Sequence, residues 1–302
     1  MLCAKKGTRY WLTAVLALVL AVISFAAGVL YECPVALRTG GQGHTIHVSV
    51  DDTFSLLWNL TENQDQYSSI FEQPMLSYLQ ELHRKYGAVY SLYCYYQQID
   101  ANGVLHTLDE VTDQYRGEFE MNSDWLRLSF HAMDDGAYQD QQPEEEIACY
   151  EKTLQELQRI AGNNAIDYGF IRLDRYVGSK DLTRALAALP DGPQGLFCAE
   201  DPNRPSYDLT EEEEKILYQD DWYTDADGMQ YTPTDVRIEN ITCPLDFYKA
   251  QHCMAGQQVQ ILFTHEWILQ DAAVQRYLEW FLAYGSSTGG VFRYLAVGVN
   301  KE

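Results

Sequence analysis

Positive charge is scarce in this sequence. Lysine and arginine number 21 against 44 aspartates and glutamates, a formal net charge of −23 at pH 7 over 302 residues. Binding along a phosphate backbone needs a basic surface, so nucleic acid is excluded as a partner. Cysteine is sparse and irregular. Five of the seven, Cys94, Cys149, Cys198, Cys243 and Cys253, lie beyond residue 44. An odd, unevenly spaced set makes neither a disulfide framework nor a paired-cysteine zinc site. Cys94 and Cys198 sit in apolar runs and read as core thiols, while pairing of Cys243 with Cys253 stays open. There is no glycine-rich phosphate loop and no Gly-any-Ser-any-Gly elbow, so neither a P-loop nor a serine-elbow hydrolase is expected. Hydrophobic residues make up 46% and charged ones 22%, which excludes a disordered chain and a multispanning one. Tyrosine is abundant at 22 residues, in core or sugar-stacking roles that composition does not separate.

One long apolar run exists. Lys5, Lys6 and Arg9 precede an uncharged stretch over 10–31, enough to cross a hydrocarbon core ~30 Å thick. The basic flank and the following Glu32 place residues 1–9 in the cytoplasm and the remainder outside. Cleavage near Ser24-Phe25-Ala26 would instead give a secreted protein, but the run exceeds the roughly 7–15 residues of a signal-peptide core. We expect a membrane anchor over 10–31, a flexible linker over 32–43, and a working domain over 44–302. Asn59-Leu60-Thr61 and Asn240-Ile241-Thr242 are glycosylation sequons, relevant only in a eukaryotic secretory pathway.

Strand-like and helix-like segments alternate through the domain. Ile46, Val48 and Val50 alternate in a strand, and Leu76, Leu79 and Leu82 mark a helix over 73–86 that stops at Gly87. Strands are expected over 88–96, 125–130, 168–173, 195–199, 236–241, 259–264 and 291–297. Helices are expected over 143–160, 180–189 and 272–283, the first opened by proline and three glutamates. The acidic stretch 202–234 reads as a loop excursion, with Glu211 to Glu214 as a solvated helix start. The alternation predicts an α/β fold, a distorted (β/α) barrel of about seven mainly parallel strands preceded by one transmembrane helix.

In such a barrel, chemistry gathers at the C-terminal strand ends. The first strand ends in Asp51-Asp52. A later one ends in His131, with Asp134 and Asp135 following. Arg172, Asp174 and Arg175 close another, Glu200-Asp201 the next, and His265-Glu266 the penultimate one. One acid at a strand end is an ordinary helix cap. Acids or histidines at five ends indicate a shared metal or catalytic site, because clustered carboxylates need a cation to offset their repulsion.

These residues resemble the motifs of the polysaccharide deacetylases (the NodB-homology, carbohydrate esterase family 4 group), within the wider glycoside hydrolase/deacetylase barrel superfamily. Ser49-Val50-Asp51-Asp52 looks like the Asp-Asp motif. Ser129-Phe130-His131-Ala132-Met133-Asp134-Asp135 looks like the second motif, with Asp135 in place of a second metal histidine. Arg172 and Tyr176 echo the third motif without its proline, and Phe263-Thr264-His265 resembles the late Leu-any-His motif. The resemblance implies a barrel that hydrolyses N-acetyl groups on a polysaccharide or cell-wall glycan. It implies Asp51 as general base, His265 as general acid and Arg172 orienting Asp51. Asp52, His131 and Asp135 would hold one divalent metal, zinc first, with manganese, cobalt or iron as alternatives. Tyr176 would contact substrate, and Trp267, two residues after His265, would either stack on a sugar ring or pack in the core. The alternative is a non-catalytic carbohydrate-binding protein on the same barrel. Trp58, Tyr93 and Tyr95 read as core or rim, and His44, His47, His83, His106 and His252 as structural histidines.

Overall fold

The computed structural model describes residues 14–24, 44–136 and 142–296. It divides into two compact units, Met1–Gly41 with Cys243–Gln257, and Gln42–Thr242 with Gln258–Glu302.

In the first unit, residues 14–24 are helical and exposed. They are the described part of the expected anchor over 10–31; the rest of that run, residues 1–9 and the linker 32–43 lie outside the described residues. No helix among the described residues is long and apolar enough to cross a membrane. The unit also holds the helix Pro244–Met254, started by proline and by an Asp246 carboxylate that accepts the Cys243 N–H at 3.1 Å. Cys243 is a free thiol and Cys253 is disulfide-bonded, so these two do not pair with each other.

The second unit is an α/β fold around a parallel sheet. Its strands are β1 (Thr45–Thr53), β2 (Tyr90–Tyr95), β3 (Gln97–Ile99), β4 (Leu105–Thr107), β5 (Leu126–Ala132), β6 (Phe170–Ile171), β7 (Gly195–Cys198), β8 (Tyr223–Thr224), β9 (Gln230–Pro233), β10 (Val236–Arg237), β11 (Val259–His265) and β12 (Val291–Phe292). One sheet runs β10-β11-β1-β2-β5, with β12 also on β1; another runs β6-β7-β9-β8. Among the described residues only β8–β9 and the hairpin β3–β4 are antiparallel. Two links bring the sheets toward closure. A parallel bridge joins Leu128 to Ile166 just before β6. On the other side β9 pairs with β7, and three residues later the same chain pairs with β11 as β10. This pattern is consistent with the expected distorted (β/α) barrel.

β1 is buried along almost its whole length, as a central parallel strand covered on both faces must be. Ile46, Val48 and Val50 are apolar, whereas the alternate positions are His47, Ser49 and Asp51, all fully buried. His47 Nε2 meets the Tyr93 hydroxyl at 3.2 Å, and burial holds its imidazole down at about 3.

Two expectations change. The stretch 202–234 is no loop excursion: it contains the helix Glu211–Asp220 and the sheet strand β9. Thr210 and Glu213 form a capping box at that helix start. The four residues of β9, Gln230-Tyr231-Thr232-Pro233, show no apolar alternation, so an acidic, aromatic stretch of poor periodicity hid the strand. The strand expected over 236–241 is only two residues long and turns into a 3-10 helix, Ile238–Asn240. That turn changes where Glu239 stands.

Candidate active site

Successive residues of a regular strand point to opposite faces, so Asp51 and Asp52 should diverge. They do not, because β1 carries a bulge. Val50 pairs with Leu92 and Thr53 with Cys94, leaving one extra residue on β1. Asp52 takes up the difference with φ of 58°, in the left-handed region. Both carboxylates therefore line one cavity of about 360 Å³. A second bulge acts on β5. Cys94 pairs with Phe130 and Tyr95 with Ala132, so His131 is the unpaired extra residue.

Asp51 is 1% exposed and lies between the Arg172 Nη1 contacts at 2.9 and 2.8 Å. Arg172 is itself buried, donates to Ser49 and Thr234 at 3.0 Å each, and lies 4.0 Å from the Phe263 ring centroid. A buried carboxylate needs such a partner. Arg172 thus fixes both oxygens of the Asp51 carboxylate.

Asp52 is a hub. Its Oδ1 accepts the Tyr95 hydroxyl at 2.7 Å and lies 3.1 Å from His131 Nε2; its Oδ2 accepts the Trp267 indole N–H at 2.9 Å. Burial would raise this carboxyl. The His131 hydrogen bond and charge, with His265 and Tyr95 added, instead hold it well below the usual range. His131 donates from Nδ1 to the Arg172 carbonyl at 2.5 Å, which directs Nε2 at Asp52 and, 3.9 Å away, at Asp174. Burial opposes its charge, but the Asp52 bond and the charges of Asp51, Asp52 and Asp174 raise it to about 9.

Asp174, rather than Asp135, completes the cluster. One ligand atom each from Asp52, His131 and Asp174 lies within 4.8 Å of the others. Asp174 Oδ2 is buried without a hydrogen-bond partner among the described residues, although Arg175 Nε is 3.5 Å away. Burial, reinforced by Asp52, pushes its carboxyl up to about 6 despite His131. The expected ligand Asp135 stands at the rim, 74% exposed at its side chain and paired with Arg175 Nη2 at 2.5 Å. Asp135 stands where the resemblance puts a second metal histidine, but the chain after β5 forms no helix through residue 136 that would turn it toward His131. Asp174 was visible as a strand-end acid. Its selection depended on a turn in which Arg175 and Tyr176 both take positive φ, 54° and 62°.

The fit to a divalent ion is good. The donors are two carboxylate oxygens and one imidazole nitrogen whose other nitrogen is fixed by a backbone carbonyl, the usual outer bond of a metal-ligating histidine. The orphaned Asp174 oxygen supplies a further lone pair.

His265 lies opposite Asp51 in the β1–β11 register, with Nε2 4.0 Å from Asp52 Oδ2. Its Nδ1 donates to Glu239, which also accepts Arg237 Nε at 2.8 Å. Burial opposes the Glu239 charge, but the His265 hydrogen bond and charge keep its carboxyl lowered. Glu239 escaped sequence reasoning, because it lies inside the expected strand 236–241 and not at a strand end. Trp267 is 62% exposed and its ring centroid lies 5.5 Å from that of His265, a rim position suited to substrate. Tyr176 is buried, with its hydroxyl donated to Glu200 at 3.0 Å, and it forms cavity wall more than open contact surface.

The fold and the cluster define a class: a parallel α/β sheet with a carboxylate–histidine site at the C-terminal strand ends. Particular proteins of similar fold can be named. The PuuE allantoinase matches at a TM-score of 0.51 and 12% identity, covering 88% of this chain and 90% of its own. At 10% identity, a Streptococcus mutans carbohydrate esterase family 4 esterase matches at 0.44, covering 87% and 90%. The Bacillus subtilis peptidoglycan deacetylase PdaC, as a mutant, matches at 0.42 and 9% identity, covering 84% and 88%. No protein-family model matches the sequence, and neither does a curated protein.

Proposed function

We propose that this protein is a metal-dependent hydrolase that removes acetyl groups from glycans at the cell surface. One observation carries the reading: Asp51 with Arg172, Asp52 with His131 and Asp174, and His265 with Glu239 line or border a single cavity. Amide hydrolysis needs a base for water, charge stabilisation at the carbonyl oxygen and an acid for the leaving amine. Asp51, fixed by Arg172, takes the proton from water. His265 is oriented by Glu239, so Nε2 is the nitrogen that presents a proton to the leaving amine. Asp52, Asp174 and Nε2 of His131 would hold the ion, which when bound supplies water activation and carbonyl polarisation. Two carboxylates and one imidazole form a harder set than two histidines, so manganese, iron or cobalt compete with zinc. Trp267 offers a ring face to a sugar at the rim. In this reading the apolar run over 10–31 tethers the domain to the outer surface of a membrane, and its cleavage would release the protein.

Acetate release from acetylated oligosaccharides by the metal-loaded chain is the direct test. Asp51→Asn should lower kcat by at least about 100-fold, the lower end of what positioned acid–base catalysis supplies. No acetate release with zinc, manganese, cobalt or iron would replace this reading by the non-catalytic carbohydrate-binding one.

A further inference from the structure

The chain has only 21 lysines and arginines, and four of them, Arg172, Arg175, Arg204 and Arg237, line the cavity of about 360 Å³ at Asp52. Three are committed to carboxylates. Arg172 holds Asp51, Arg175 holds Asp135 and lies 3.5 Å from Asp174, and Arg237 donates to Glu239 at 2.8 Å. The remaining acid of the lining, Asp52, is engaged by His131, Tyr95 and Trp267. Each of these acids thus lies beside a cation or a donor before any ligand enters.

Arg204 is different. It forms no ion pair among the described residues. Its Nη2 donates to the Arg175 carbonyl at 3.3 Å, and its guanidinium lies 4.7 Å from the Tyr176 ring centroid. Two acids precede it in the chain, and both have other partners. Glu200 accepts the Tyr176 hydroxyl at 3.0 Å, and Asp201 accepts the backbone and side-chain N–H groups of Asn203 at 2.9 and 2.8 Å. Arg204 reaches Asp201 only as a charge, without a bond. The loop that carries Arg204 is anchored. Ser206 Oγ accepts the Ala199 N–H at 3.1 Å, the Tyr207 N–H donates to the Tyr176 carbonyl at 2.9 Å, and the buried Tyr207 hydroxyl donates to the Phe197 carbonyl at 2.7 Å. A guanidinium so held keeps most of its donors in a planar fork, and such a fork matches a carboxylate through two parallel bonds.

We propose that Arg204 is a specificity residue that binds a carboxylate of the ligand, so that the preferred substrate carries its acetyl group beside an acidic sugar rather than in a neutral glycan. The inference rests on the deacetylase reading for the reaction, while recognition of the anion is tested by binding alone. Titration calorimetry on the chelator-treated full-length chain would compare two probes: N-acetylglucosamine linked to glucuronic acid, and the same disaccharide with the uronic carboxyl converted to its amide. The acid should bind at least about tenfold tighter, as hydrogen bonds to a charged group allow. Arg204→Gln should bring that ratio below about twofold, because the charged, two-bond contact is lost. Arg204→Lys keeps the charge without the fork and should give an intermediate ratio. A role confined to bracing Tyr176 would shift both probes alike and leave the ratio intact. Equal affinity for acid and amide in the unaltered chain, binding of neither, or an acid preference that survives Arg204→Gln overturns the proposal. Acetate release at equal rates from both probes by the zinc-loaded chain would remove the acid specificity and leave the deacetylase reading. Preferential binding of the acid without acetate release from either probe would do the reverse.

Discussion

Two aspartates compete for the third place beside Asp52 and His131, and burial separates them. Asp174 lies within ligand distance with an oxygen that no group among the described residues engages by hydrogen bonding, whereas Asp135 is paired with Arg175 in solvent. Asp174→Ala should therefore lower zinc or manganese affinity by about 100-fold or more, at least the cost of losing an outer-shell partner. Asp135→Ala should change it by less than about fivefold, since an exposed ion pair contributes at most about 1 kcal/mol. Competition with a chromogenic chelator measures both. Equal losses would restore Asp135 to the ligand set.

At the scale of elements, the first helix of the second unit, Ser55–Glu62, has no side-chain cap of its own. Phe54 precedes it and offers no side-chain acceptor. The cap comes from Glu266, at the end of β11, whose carboxylate accepts N–H groups of Phe54, Ser55 and Leu56 at 2.7, 3.0 and 2.5 Å. Glu266→Ala would orphan buried donors and should cost about 2–3 kcal/mol in urea unfolding. A change under about 0.5 kcal/mol would mean that water replaces the cap. Asp51, Asp52, His131 and His265 were legible because each ends a strand with a clear apolar pattern. The bulges that rotate Asp52 and His131 into the cavity were not legible, since an extra residue leaves no trace in alternation. Nor was Glu239, whose direction depends on a turn, or Asp174, whose direction depends on two left-handed residues. Strand β9 was lost because its four residues show no periodicity, and the hairpin β3–β4 because its strands are only three residues long.

At the scale of the molecule, acidity bears on stability as well as solubility. The chain carries −23, and some of that charge is placed where water is scarce. Glu146, in the first turn of the helix Pro143–Ala161, is 8% exposed, and its Oε1 has no hydrogen-bond partner among the described residues. Burial, with the neighbouring Glu145 charge, pushes its carboxyl up to about 7 from an ordinary 4.5. The unfolded chain therefore releases this proton first as pH rises. Below about pH 4.5 both states are protonated and the group costs nothing; between about 4.5 and 7 stability falls; above 7 the full penalty stands. Glu146→Gln should raise stability by roughly 1–3 kcal/mol at pH 8 and leave it unchanged at pH 4. Equal gains at both values would point to packing instead of charge.

The register of β1 has a consequence for how the chain is made. β1 pairs with β11 from Thr45↔Val259 to Asp51↔His265, so a strand synthesised early waits for one synthesised late. At roughly 5–20 residues per second, a ribosome takes about 10–40 s to cover that interval. Throughout it, the nascent chain offers one open edge of an apolar strand. That open edge is where aggregation of the nascent chain would begin.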